Sequence, residues 1–228
     1  YFESLWGSPY QIIPDNLFVN GPDAVGFNPV EFVNNQPGWF KDYTDYAGNR
    51  DRKGGELVAY VAENFSISPR VLLMIIEYQT GGLSQPAPSA PSDPYPLGYR
   101  EVNHKGLYRQ LVWAANTLNN GYYGWRNGTL KTFDHADGRL VRPDPWQTAA
   151  TVALSYYYAQ VYQQAAFDKA VYDQGFAALY RKYFGDMMSE NRPHIPGSLR
   201  QPDLRFPFLP GKAWAYTGGR HTGWGEGA

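Results

Sequence analysis

Cysteine is absent from all 228 residues. No disulfide framework can hold the fold, and cysteine usage gives no reading of the redox compartment. Charge of one sign is lacking too: 20 Lys and Arg stand against 21 Asp and Glu, a formal net charge of −1, and the basic residues are scattered. A nucleic-acid interface needs a clustered basic face, so that class is excluded. No apolar run approaches the roughly 20 residues a membrane-spanning helix requires. The opening residues show no secretory leader. The start at Tyr1 is read as that of a mature or trimmed product, its signal peptide removed.

What is present is a globular composition, with 43% hydrophobic and 18% charged residues and length for one large domain or one and a half smaller ones. Aromatic residues reach 17%, as 19 Tyr, 12 Phe and 7 Trp. Packing between helices accounts for most of such a surplus, although Tyr and Trp also stack on sugar rings. Two Asn-x-Ser/Thr triplets, at Asn64 and Asn127, carry little information.

The most informative segment is Ser68 to Gly82. Ser68 suits an N-cap and Pro69 the first helical position. The run Val71 to Ile76 is apolar throughout, which predicts a helix buried on all sides. Glu77 follows in the last turn, and Gly81-Gly82 can end the helix in the left-handed conformation. A carboxylate there faces the negative end of the helix dipole, and burial further disfavours its charge. Both effects push a carboxyl pKa upward, as a general acid near neutral pH requires. The plain alternative is that Glu77 is merely the first residue of the helix to reach water.

Patterning along the rest of the chain predicts a mainly α body. Residues 1–27 read as irregular. Asn28-Pro29-Val30-Glu31 opens a short helix stopped by Pro37-Gly38, and Gly48 to Gly55 reads as a polar loop. A helix is expected from Glu56 to about Asn64. Five prolines between positions 86 and 96 leave a long loop able to form one wall of a cleft. An amphipathic helix spans about Gly106 to Asn120, ended by Gly121, with the aromatics Tyr122 to Trp125 in a loop. Thr129 to Phe133 and Arg139 to Val141 flank Asp137-Gly138 as a small β-hairpin. Long helices follow over about 147–166, including Tyr156-Tyr157-Tyr158, and 174–184. That tyrosine run is mostly core, with one face able to line a sugar groove. Of the histidines, His104 is expected at the surface, His135 solvated in the hairpin turn and His194 structural in a Pro-rich linker over 186–203.

Ser68-Pro69-Arg70-x-Leu72-Leu73 followed by Glu77-x-Gln79-Thr80-Gly81 resembles the first motif of the lysozyme-like, lytic-transglycosylase superfamily, where a helix ends in the catalytic Glu. Gly106 to Leu111 is similar to that family's Gly-Leu-Met-Gln-like motif, and Thr148 to Leu154 falls where it often carries Asn-Ala-Gly. The Asn and Gly are missing here. The resemblance implies a lysozyme-like helical domain over 28–185, with Glu77 as general acid and Thr80, Tyr108, Gln110 and Tyr157 as substrate contacts. It also implies peptidoglycan or a related glycan as partner, and no cofactor in the helical domain. Most glycosidases need a second carboxylate; Asp93 and Glu101 are nearest in sequence, whereas a lytic transglycosylase works with one acid.

The tail, Leu204 to Phe208 and then Trp214 to His221, resembles the start of a LasA/LytM-type (lysostaphin-like) zinc endopeptidase domain. In that family a Gly-Gly-x-His segment supplies the first zinc ligand, which would make His221 a ligand and zinc the cofactor of the completed domain. The later Asp and His-x-His do not occur in the residues after His221, so 204–228 is expected to be the truncated opening of a β-rich peptidase domain. Together the two resemblances imply an extracellular or cell-wall-associated peptidoglycan hydrolase. Two alternatives stand beside it: a non-catalytic glycan-binding or accessory N-terminal domain of a zinc metalloendopeptidase, and a structural extracellular protein.

Overall fold

The computed structural model describes residues 10–172, 175–187 and 211–213. The chain divides into Tyr1–Pro196 and Gly197–Ala228, and every element below lies in the first unit. The expected peptidase-like opening, with His221, and nearly all of the linker, with His194, lie outside the described residues.

The body is mainly helical, as the patterning predicts. In chain order the helices are α1 (Asp15–Phe18), α2 (Pro29–Asn34), α3 (Gly54–Phe65), α4 (Pro69–Thr80), α5 (Leu107–Arg126), α6 (Ala149–Val161), α7 (Gln164–Val171) and α8 (Phe176–Phe184). Two antiparallel hairpins accompany them: β1 (Thr44–Ala47) with β2 (Arg50–Lys53), and β3 (Phe133–Asp134) with β4 (Leu140–Val141).

Local chemistry explains several of these boundaries. The Asn28 side chain accepts from the Val30 and Glu31 N–H groups, with Pro29 at the first helical position of α2. Thr148 caps α6 through Thr151 N–H. Ser68 is the N-cap residue of α4, yet its side chain makes no capping bond. Its backbone does the work, N–H donating to Phe18 O at 2.8 Å while its carbonyl accepts from Val71 N–H at 3.0 Å.

Five expectations need correction. The segment 48–55 is not a loop: Gly48 (φ 55°) and Asn49 (φ 63°) form the left-handed turn of the β1–β2 hairpin. The alternating charges that suggested a loop lie on a mostly exposed strand, Arg50 to Lys53. The first 27 residues contain α1 and a 3₁₀ turn at Pro22–Ala24. Gly121 does not end α5, which continues through the aromatics to Arg126. A Cβ at 121 would lie 2.8 Å from Ala153 Cα, so this glycine permits close approach of α5 and α6. The helix expected over 147–166 breaks at Tyr162-Gln163 into α6 and α7. His135 is not solvated but 3% exposed, with its ring 4.6 Å from that of Phe167.

The core runs through all the helices. From Val71 to Ile76 every side chain of α4 is fully buried, as its unbroken apolar run demands. Aromatic packing between elements takes up much of the surplus. Phe18 stacks on Tyr122 at 4.8 Å, and Tyr157, Tyr158 and Tyr180 are fully buried. No described helix is long and apolar enough to cross a membrane.

Candidate functional site

Glu77 sits in the last turn of α4, which closes on Gly81 in the left-handed conformation with Gly81 N–H donating to Glu77 O at 2.9 Å. The chain then turns back, and Leu83 N–H donates to Glu77 Oε2 at 2.8 Å. The other carboxylate oxygen, Oε1, accepts from the Tyr183 hydroxyl of α8 at 3.0 Å. Glu77 is only 7% exposed. Burial, and the negative charge of Glu77 beside it, push the Tyr183 hydroxyl up to about 12, so it remains a donor at neutral pH. The carboxylate ties three pieces together: the end of α4, the turn after it, and α8.

Gln79 looks elsewhere. Positions 77 and 79 diverge by about 200° around a helix, and the partners differ accordingly. Gln79 Oε1 accepts from the Tyr157 hydroxyl of α6 at 2.6 Å, and its Nε2 donates to Leu97 O of the proline-rich loop at 3.1 Å. A pocket of about 210 Å³ opens beside it, lined by Gln79, Thr80, Tyr162 and the loop from Pro88 to Arg100. Within that loop Asp93 pairs with Arg100 at 2.6 Å and accepts from Tyr95 N–H at 2.9 Å. The backbone bond from Tyr95, with Arg100 adding to it, holds the Asp93 carboxyl below its usual range. The proline-rich stretch does wall a pocket, beside Gln79 and Thr80, whereas the Glu77 side chain is not among the pocket's lining residues.

The other sequence-predicted contacts divide between structural positions and this pocket. Thr80 is 4% exposed and its hydroxyl donates to Ile76 O at 2.6 Å, within its own helix. Gln110 is fully buried. It accepts from Tyr99 N–H and donates to Tyr99 O and His104 O, both at 2.7 Å, fastening the loop onto α5. Tyr108 lies elsewhere, its N–H on Asp45 Oδ2 at 3.1 Å and its ring 6.3 Å from Tyr60. Tyr157 is fully buried, which pushes its hydroxyl well above the ordinary range, and it supports Gln79 from behind. Of the nearby carboxylates, Asp93 lines the pocket and Glu101 is exposed.

Two features escaped the sequence reading. Tyr183 lies 106 residues from Glu77, and no local pattern announces the pair. Gln79 was visible inside the motif but was passed over for its neighbour Glu77. Its signal was the two-residue offset, which places it on another face of the helix.

Among the described residues, no group of three or more His, Cys, Asp or Glu is placed to hold a metal ion. His221 lies outside them, and one histidine does not meet the three protein ligands that a catalytic zinc requires.

The LasA N-terminal domain family model matches residues 11–196, which spans every element described above. No curated protein and no solved structure matches the chain.

Proposed function

The chain belongs to the LasA N-terminal domain family, and on that premise we propose that it is a non-catalytic accessory domain that holds cell-wall glycan for a LasA-like zinc endopeptidase. Such a domain would work outside the cell or on its wall, and zinc would belong to the completed peptidase. The observation that carries the reading is the closure of Glu77. A general acid must bring its own proton within hydrogen-bond reach of the bond it cleaves. Here each carboxylate oxygen already accepts a hydrogen bond, from Leu83 N–H and from Tyr183 O–H, at 7% exposure. That arrangement suits a structural tie. The absent Asn and Gly of the third lysozyme-like motif, where Thr148 to Leu154 stand, point the same way.

The test is incubation of the chain with purified peptidoglycan. The expected result is saturable co-sedimentation with no release of reducing or anhydro sugar ends; release of such ends would refute the accessory role.

A second reading, glycan-strand cleavage with Glu77 as the general acid, draws on one observation. The carboxylate is held in a dry niche at the negative end of a helix whose run Val71 to Ile76 is fully buried, with the hydroxyl of Tyr183 donating to it. It requires α8 to lift away, and it predicts that Glu77→Gln abolishes any release of sugar ends.

A further inference from the structure

The pocket beside Gln79 has a chemistry of its own. Its volume, about 210 Å³, falls below the roughly 300–1,000 Å³ of pockets that enclose drug-sized ligands. One ring, or one side chain, fits that scale. Its lining includes the apolar rings of Pro88, Pro96 and Tyr95, the last with the Arg100 guanidinium 5.7 Å from its centroid. Tyr162 is held in place by parallel stacking on Tyr158 at 5.7 Å. A wall fixed before the ligand arrives loses little freedom on binding.

The polar groups among those rings retain capacity. Gln79 makes its bonds to Tyr157 and Leu97, and the Tyr162 hydroxyl faces the same amide. Burial pushes that hydroxyl up to about 12, so it stays neutral. The guanidinium of Arg100 has five N–H groups, more than its two contacts with Asp93 use. Ser89 is exposed, and its hydroxyl makes no hydrogen bond among the described residues. Asp93 and Arg100 neutralise each other across 2.6 Å, so the pocket carries no charge demanding a counter-charge.

Peptide recognition through a strand-like main chain needs a row of open backbone donors. The loop here is interrupted by Pro88, Pro91, Pro94 and Pro96, which have no N–H. Apolar rings, scattered neutral hydrogen-bonding groups and a one-ring volume match a pyranose, whose ring has an apolar face and a rim of hydroxyls.

We infer that this pocket, between Gln79 of α4, the loop 88–100 and Tyr162, is a binding site for one neutral sugar ring. The site deepens, and rests on, the reading of the chain as a glycan-holding domain.

The test is a titration of the whole chain with N,N′-diacetylchitobiose, followed by amide NMR and isothermal calorimetry, with glucuronic acid and trialanine as comparison ligands. The disaccharide is expected to give saturable shifts at the Gln79, Ser89 and Gly98 amides, and the two comparison ligands are expected to give none. Tyr95→Ala should weaken binding at least tenfold and Ser89→Ala severalfold, with the melting temperature of each within about a degree of the unaltered chain. Preference for trialanine or glucuronic acid, or disaccharide affinity untouched by both substitutions, would overturn the site. If the chain still sediments with peptidoglycan in those cases, the accessory reading survives without it. If the chain neither sediments nor binds the disaccharide, both fall.

Discussion

Replacing Glu77 with alanine separates a structural tie from a catalytic acid, because the two roles predict opposite signs. Two donors converge on this carboxylate, Leu83 N–H at 2.8 Å and Tyr183 O–H at 3.0 Å. Leu83 is fully buried, so its N–H would be left without an acceptor, at a cost of about 1–3 kcal/mol. Tyr183 is partly exposed and can turn to water, so its loss is nearer 0.5–1 kcal/mol. The sum is about 1.5–4 kcal/mol. With a urea slope of roughly 2–3 kcal/mol/M, the midpoint should fall by about 1 M. A side chain held in place for catalysis behaves otherwise, since its replacement is commonly neutral or stabilising. The assay is urea unfolding followed by far-UV circular dichroism, on Glu77→Ala, Tyr183→Phe and the double variant. The cycle should give a coupling of about 1 kcal/mol between the two side chains. A Glu77→Ala midpoint equal to or above that of the unaltered chain would refute the tie.

Three further outcomes are expected. Gly121→Ala places a Cβ 2.8 Å from Ala153 Cα. Although alanine favours a helix by about 1 kcal/mol over glycine, overpacking of about 1–3 kcal/mol should outweigh it and lower the melting temperature by a few degrees in calorimetry. His135 is buried without a hydrogen-bond partner for either ring nitrogen, and burial pulls its pKa below the ordinary 6.5, with Asp137 and Asp168 opposing and Arg139 adding to the shift. A depressed histidine pKa means that the unfolded chain takes up the proton first. The stability is therefore complete above pH 6.5 and declines as pH falls from there toward the lower, folded value. The pH dependence of unfolding in His135→Leu should lack that part of the decline, and an unchanged slope would count against it. Gln110→Ala removes the three bonds that fasten Tyr99 and His104. Hydrogen exchange should quicken across 97–105 while α4 keeps its protection.

Much of the helical body was legible because its signals are local. The apolar run before Glu77 fixes α4 as a buried helix wherever it packs, and Asn28-Pro29 starts α2 through bonds to its own backbone. Asp137-Gly138 sits between two short strands that pair as Phe133 with Val141. The errors arose where tertiary contact overrode a local signal. Gly121 is a helix breaker by composition, but at the α5–α6 contact its missing side chain is what the packing needs. His135 looked solvated because it stands in a polar turn, yet the ring folds against Phe167 of α7. Gly48-Asn49 was a hairpin signal masked by the charges around it.

The candidate site divides the same way. By itself the sequence determined that a carboxylate ends a buried helix, that a proline-dense loop follows, and that tyrosines crowd the helices beyond. Only the tertiary structure decided which side of α4 each polar group faces. Glu77 meets a hydroxyl 106 residues away on α8, and Gln79 meets one 78 residues away on α6. Helical periodicity fixes the angle between two side chains of one helix, but it carries no record of which distant segment arrives on either side. Here that arrival enclosed the acid and left the amide beside an open pocket.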